Sequence, residues 1–106
     1  MDILEAIDRI DAHKEISRST FDTDELLQIW FVHHLQTIGE AASHLSPEIR
    51  QYFVDVQWGQ LIGMRQILVH GYFEVDLDIV WNTVQNNLDP LKSQIELIIK
   101  RLGNPL

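Results

Sequence analysis

Leu77, Trp81, Val84, Leu88, Leu91, Ile95, Ile98 and Leu102 alternate steps of four and three residues. A seven-residue apolar repeat draws one continuous stripe along a helix, and that stripe needs a second helical surface to cover it. Asp89-Pro90 lies inside the repeat. Proline removes a helical hydrogen bond and crowds the preceding turn, so the spacing predicts a kinked or broken C-terminal helix whose stripe keeps register.

The rest of the chain has the same period. Ile3, Ile7 and Ile10 face one way and Asp8, Arg9, Asp11 and Glu15 the other, which predicts an amphipathic helix fading near Ser17 to Thr20. A second helix is expected to start with Asp22 as its cap, Glu25 at the third helical position, and Phe21 with Leu26 as a hydrophobic staple. Its stripe runs Leu27, Phe31, His34, Ile38, Ala41, Leu45. Ser46-Pro47 supplies a cap and a first-turn proline for a short helix, and Arg50 to Asp55 reads as a connector. Trp58, Leu61, Ile62, Arg65, Leu68 and Val69 form another helical stripe that stops at His70-Gly71, where glycine can close a helix end. No strand-like alternation of useful length interrupts the pattern. The expected fold is all-α: an antiparallel four-helix bundle with an extra short helix, in one domain over residues 1–106.

At 106 residues the chain can bury one core, and its 45% hydrophobic and 23% charged residues are ordinary globular values. Sixteen Asp and Glu against eight Lys and Arg give a net charge of −8, which disfavours DNA coating and membrane-surface binding. The acidic start, Met1-Asp2-Ile3-Leu4-Glu5, and the lack of any apolar run near the roughly 20 residues that span a bilayer point to a cytoplasmic protein. Without cysteine there is no disulfide, zinc ribbon or thiol nucleophile, so chemistry falls to His, Arg, Tyr, Ser and carboxylates.

The acidity is unevenly spread. Val56 to Phe73 holds Arg65 and no acidic residue. His70 follows Arg65 by five positions, an offset of about 140° on an ideal helix, so the two share a face only if the helix end unwinds near His70-Gly71. Cleaving an RNA phosphate without a metal needs a group that exchanges a proton near neutral pH and a cation that stabilises charge on phosphorus; histidine and arginine fit those tasks. A structural role is the alternative, with Arg65 in an ion pair to a carboxylate such as Asp76. His34 lies on an apolar stripe, where a buried, hydrogen-bonded histidine competes with a cleft-lining one. Glu40 reads as a solvated or interhelical charge, which pairing of two bundles into a dimer could bring near Arg65. Glu40 and His44 have the spacing of a helical ligand pair but no clear third ligand, so neither metal nor cofactor is expected. Trp30, Phe31, Trp58 and Trp81 read as packing residues.

The run from Gly63 to Trp81, with its Arg65, four residues, His70, one residue and Tyr72, then Val75-Asp76-Leu77-Asp78, resembles the signature of HepT-like proteins of the HEPN superfamily. Asp2 to Ile7, Ile38 to Ala42 and Leu45 to Glu48 resemble further segments of that family. The resemblance implies a helical homodimer with the Arg and His of both subunits around a shared cleft. It implies a metal-independent RNase toxin whose partner is a minimal nucleotidyltransferase antitoxin. Carried over, Arg65 and His70 become the catalytic pair and Tyr72 the tyrosine that the partner modifies with AMP. Gln66 stands where asparagine is common in the family and would line the site. The alternative implied function is a non-catalytic binding partner or AMP acceptor of the nucleotidyltransferase.

Overall fold

The computed structural model describes residues 3–53, 56–59, 61–63 and 76–103. The chain is all-α, with no strand among the described residues. Helix α1 spans Ile3–Asp11, α2 Arg18–Thr23, α3 Glu25–Ser43 and α4 Pro47–Tyr52. After α5, Leu77–Asn82, one π-helical turn at Thr83–Asn87 leads into α6, Leu88–Leu102.

Helix α1 sits between the two long helices. Ile3, Ala6, Ile7 and Ile10 are fully buried, each isoleucine contributing about 1.5 to 3 kcal/mol by leaving water. The ring of His13, just past the end of α1, lies 4.6 Å from that of Trp30 near the start of α3. Lys14 Nζ reaches Asp89 at 2.8 Å, and Lys92 Nζ reaches Asp8 at 2.9 Å and Asp11 at 3.7 Å. These pairings run α1 antiparallel to both α3 and α6. Against α1, α3 turns Phe31, Leu35, Ile38 and Ala42 inward, and α6 turns Leu88, Leu91, Ile95 and Ile98 inward. The heptad stripe is therefore the core face, with only Leu102 at its end half-exposed.

The irregularity expected at Asp89-Pro90 takes the form of one widened turn. Pro90 has no N–H to give the carbonyl four residues back, and the turn that precedes it carries an extra residue. Gln85 Nε2, within that turn, donates to the Lys14 carbonyl at 2.7 Å and fastens it to the end of α1.

Three local expectations are corrected. Helix α1 stops at Asp11 instead of fading near Ser17 to Thr20. Ser17 is a competent cap, its hydroxyl accepting from the Thr20 amide at 3.1 Å, and it starts α2 there. Asp22 consequently falls inside α2, where it accepts from Arg18 Nε at 2.8 Å, and the cap of α3 is Asp24, which accepts from the Leu27 amide at 3.0 Å. Leu26 is 81% exposed, so no staple forms with Phe21, which instead packs on Trp81 and Phe31. Finally, Arg50 to Tyr52 belong to α4, not to a connector. The buried Phe53 closes α4, and its carbonyl accepts from Trp58 Nε1 at 3.0 Å.

Ser46 and Pro47 act as expected, the Ser46 hydroxyl accepting from the Ile49 amide at 3.3 Å. Of the helix expected from Trp58 to His70, the described part is helical at 58–59 and 61–63, with Trp58 and Leu61 buried.

Truncating the α1-facing surface should cost far more than removing a cap. Phe31→Ala is expected to lower unfolding stability by about 3 to 5 kcal/mol. Asp76→Ala, which removes the acceptor for the Asp78 and Ile79 amides at the start of α5, should cost about 1 kcal/mol. Urea unfolding followed by circular dichroism separates the two; equal midpoint shifts would contradict the assignment of Phe31 to the core.

Candidate active site

Arg65, Gln66, His70 and Tyr72 lie outside the described residues. The site residues that the structure does place, His34 and Glu40, both belong to α3. An offset of six residues sets them about 120° apart around a helix. The structure accordingly separates them: His34 faces the core at 2% exposure, while Glu40 is exposed.

His34 sits edge-on to Trp30, ring centres 4.4 Å apart, and 5.1 Å from the ring of His33. His13 closes on Trp30 from the end of α1. The result is a row of rings, His13, Trp30, His34 and His33, along the contact of α1 with α3. His34 Nδ1 is buried with no hydrogen-bond partner among the described residues. Burial pushes the His34 pKa down, and the nearby His33 and Arg9 push it further the same way. His34 is therefore held neutral at pH 7, and it serves as a packing residue with an unused polar edge instead of a cation for phosphate. Of this row, His13 had no signal in the periodicity; it reaches Trp30 because the chain turns after Asp11 instead of continuing as a helix.

Glu40 Oε1 lies 3.0 Å from His44 Nε2 on the outer face of α3. The four-residue spacing that could have signalled a ligand pair is thus used for a hydrogen bond along the helix. Among the described residues no group of three His, Cys, Asp or Glu side chains could hold a metal ion. No described helix is long and apolar enough to cross a membrane. A shallow surface depression of ≈ 440 Å³ follows α1, lined by Leu4, Glu5, Asp8, Arg9 and Ala12. With two carboxylates, Glu5 and Asp8, against the one guanidinium of Arg9, it is not suited to a phosphate.

Elsewhere Arg9, Lys14, Arg18 and Lys92 are held by carboxylates. Arg18 bonds both Asp22 and Asp78, which raises its pKa, and its guanidinium lies 5.9 Å from the ring centres of Phe21 and Trp81. Lys14 is raised by its bond to Asp89, and Lys92 by its bond to Asp8. These pairs clasp α1, α2, α5 and α6 together and leave little free positive charge on that side.

Residues 3–98 match the family model described as "Ribonuclease HepT-like", and the chain belongs to that family. It is 32% identical over 98 residues to "Putative RNase MJ1380" of Methanocaldococcus jannaschii, covering 92% of this chain and 90% of that one. It is 36% identical over 92 residues to "Putative RNase TTE0752" of Caldanaerobacter subterraneus, covering 87% and 82%. "Probable ribonuclease HepT" of Thermococcus cleftensis is 32% identical over 100 residues, covering 93% and 91%. No solved structure matches the chain.

The lowered pKa of His34 gives a signed pH dependence. The unfolded chain takes up this proton near the ordinary value of 6.5 and the folded protein only at lower pH. Its contribution is complete above the unfolded pKa and is lost as the pH falls through 6.5 toward the lower folded value. Urea midpoints measured at neutral and at mildly acidic pH should therefore converge in a His34→Leu variant more than in the wild type. An unchanged pH dependence in the variant would show that His34 titrates freely in the folded state.

Proposed function

We propose that this chain is a metal-independent endoribonuclease of the HepT type in which His70 and Arg65 carry the chemistry. The observation that supports it best is the family match over residues 3–98, which contains the Arg65, four residues, His70, one residue, Tyr72 pattern in full. In the proposed reaction the 2′-oxygen of the RNA attacks the adjacent phosphorus, and the bond from phosphorus to the 5′-oxygen breaks. The 2′-hydroxyl gives up its proton and the leaving 5′-oxygen takes one. His70 serves one of these transfers, and the Arg65 guanidinium stabilises the added charge on the phosphoryl oxygens.

The proposal extends to assembly and control. Two copies form a homodimer whose facing motifs share one cleft, with Glu40, on the exposed face of α3, as a candidate neighbour of that cleft and Gln66 next to Arg65 in sequence; the buried His34 packs behind it. The protein acts as the toxin of a pair with a minimal nucleotidyltransferase antitoxin. In the neutralising step the Tyr72 phenol oxygen bonds to the α-phosphorus of ATP, pyrophosphate leaves, and the phenolic proton passes to a base on the transferase. Bulk and negative charge are then added two residues from His70, blocking the site and repelling RNA.

Cleavage of single-stranded RNA in EDTA by wild type, Arg65→Ala and His70→Ala protein tests the chemistry. Each substitution should reduce the rate by about 10²- to 10⁴-fold while the helical circular dichroism is retained. Full activity in both variants would remove the pair from the mechanism. For the modification, intact-mass analysis after incubation with the transferase and ATP should show AMP on wild type and none on Tyr72→Phe.

A further inference from the structure

We infer that the end of the molecule where α3 and α6 terminate, marked by Arg50, Lys100 and Arg101, holds the phosphate backbone of an RNA strand. This inference rests on the ribonuclease reading and adds a binding surface away from the Arg65 to Tyr72 motif.

The cations of the described residues fall into two groups. Arg9, Lys14, Arg18 and Lys92 each have a carboxylate within 4.0 Å. Arg50, Lys100 and Arg101 have none among the described residues, and the Nε of the half-buried Arg50 is buried without a hydrogen-bond partner. A cation already bound to a carboxylate has little to offer a phosphate. Unpaired ones release counterions when RNA binds, which is the main source of affinity for a polyanion.

The fold brings these three to one end. Because α1 runs antiparallel to both α3 and α6, the C-termini of those two helices point the same way. Lys100 and Arg101 occupy the last turn of α6. Helix α4 begins at Pro47, four residues after α3 ends at Ser43, and Arg50 lies in its last turn. The continuous helical path from Leu77 to Leu102 has 26 residues, about 39 Å at 1.5 Å each, close to the 41 Å longest extent of the molecule. Its two ends therefore mark the two ends of the protein.

The far end has the opposite character. Asp22, Asp24, Glu25, Asp76 and Asp78 gather there against Arg18, which is already paired with Asp22 and Asp78. Among the described residues at the proposed RNA end, the carboxylates without a bound cation are Glu48 and Glu96, against three cations. Glu5 and Glu40, also toward this end, are engaged with Arg9 and His44. An RNA strand, repelled from the acidic end, meets the unpaired cations of the described residues at the other. The macrodipole of α6 does not favour an anion there, so the side chains must supply the attraction.

The test is RNA binding by fluorescence anisotropy across a salt series, with a labelled single-stranded RNA and His70→Ala protein to prevent cleavage. Lys100→Gln with Arg101→Gln should weaken binding by more than about 10-fold at low salt and flatten the dependence of log K on log salt by about 1.4, the effect of two lost phosphate contacts. Asn82→Asp with Asn86→Asp changes net charge by the same amount on an exposed helix face toward the acidic end, and should weaken binding by under about 3-fold. Equal losses in the two double variants, or an unchanged salt slope in the first, would overturn the inference. Arg50→Lys, which keeps the charge where Arg50→Ala risks unfolding α4, should bind RNA like the parent; a large loss would mean that Arg50 acts by packing and not by charge. If the wild type neither binds nor cleaves RNA, the ribonuclease reading falls as well; if it cleaves while the first double variant binds normally, only this surface is wrong.

Discussion

The burial of one short helix between two long ones is the constraint on which the rest depends. Helix α1 has nine residues, too few to be stable alone, and it persists because Ile3, Ala6, Ile7 and Ile10 are withdrawn completely from water. Its apolar face sets the spacing of α3 and α6. Its polar edge then fixes the register of α6, through Lys92 against Asp8 and Asp11 and through Lys14 against Asp89. The clasp of Arg18 on Asp22 and Asp78 continues the same pattern toward α5. Individually such exposed pairs are weak, but a set that joins different helices selects one arrangement among those that hydrophobic packing would accept.

That arrangement also sorts charge. Among the described residues, Lys14, Arg18 and Lys92 are spent on holding helices together, whereas Arg50, Lys100 and Arg101 have no carboxylate within 4.0 Å. A net charge of −8 is thus compatible with a polyanion substrate, because the whole-chain value averages over surfaces that differ in sign and in availability. His34 illustrates the same distinction at one residue. Its imidazole looks like a candidate for phosphate chemistry, yet burial and the neighbouring His33 and Arg9 suppress its protonation.

Much of the fold was legible in the sequence because period and capping are local signals. The stripe from Leu77 to Ile98 and the cap at Ser46 with Pro47 follow from spacing alone, whereas for His34 spacing left burial and cleft lining both open and the packing of Trp30 against it decides for burial. What spacing could not rank was competition between neighbouring caps: Ser17, Asp22 and Asp24 are each suitable, and the choice falls on Ser17 and Asp24 because Phe21 is drawn inward against Trp81. Contacts created by a reversal of the chain, such as His13 on Trp30, have no linear signature. For the site the position is reversed. Arg65, His70 and Tyr72 were singled out by their motif and lie outside the described residues, whereas His34 and Glu40, linked to the cleft only by resemblance, are placed and found on different faces of α3.

The central claim is that His70 and Arg65 cleave RNA through the substrate's own 2′-oxygen. Mapping the ends of RNA cut in EDTA tests it most directly. Attack by the 2′-oxygen leaves a 2′,3′-cyclic phosphate, or the 3′-phosphate formed when it opens, and a 5′-hydroxyl on the other fragment. A single 2′-deoxy substitution at the cleaved position should then abolish the cut. Fragments carrying a 5′-phosphate and a 3′-hydroxyl, or undiminished cleavage at the 2′-deoxy position, would contradict it.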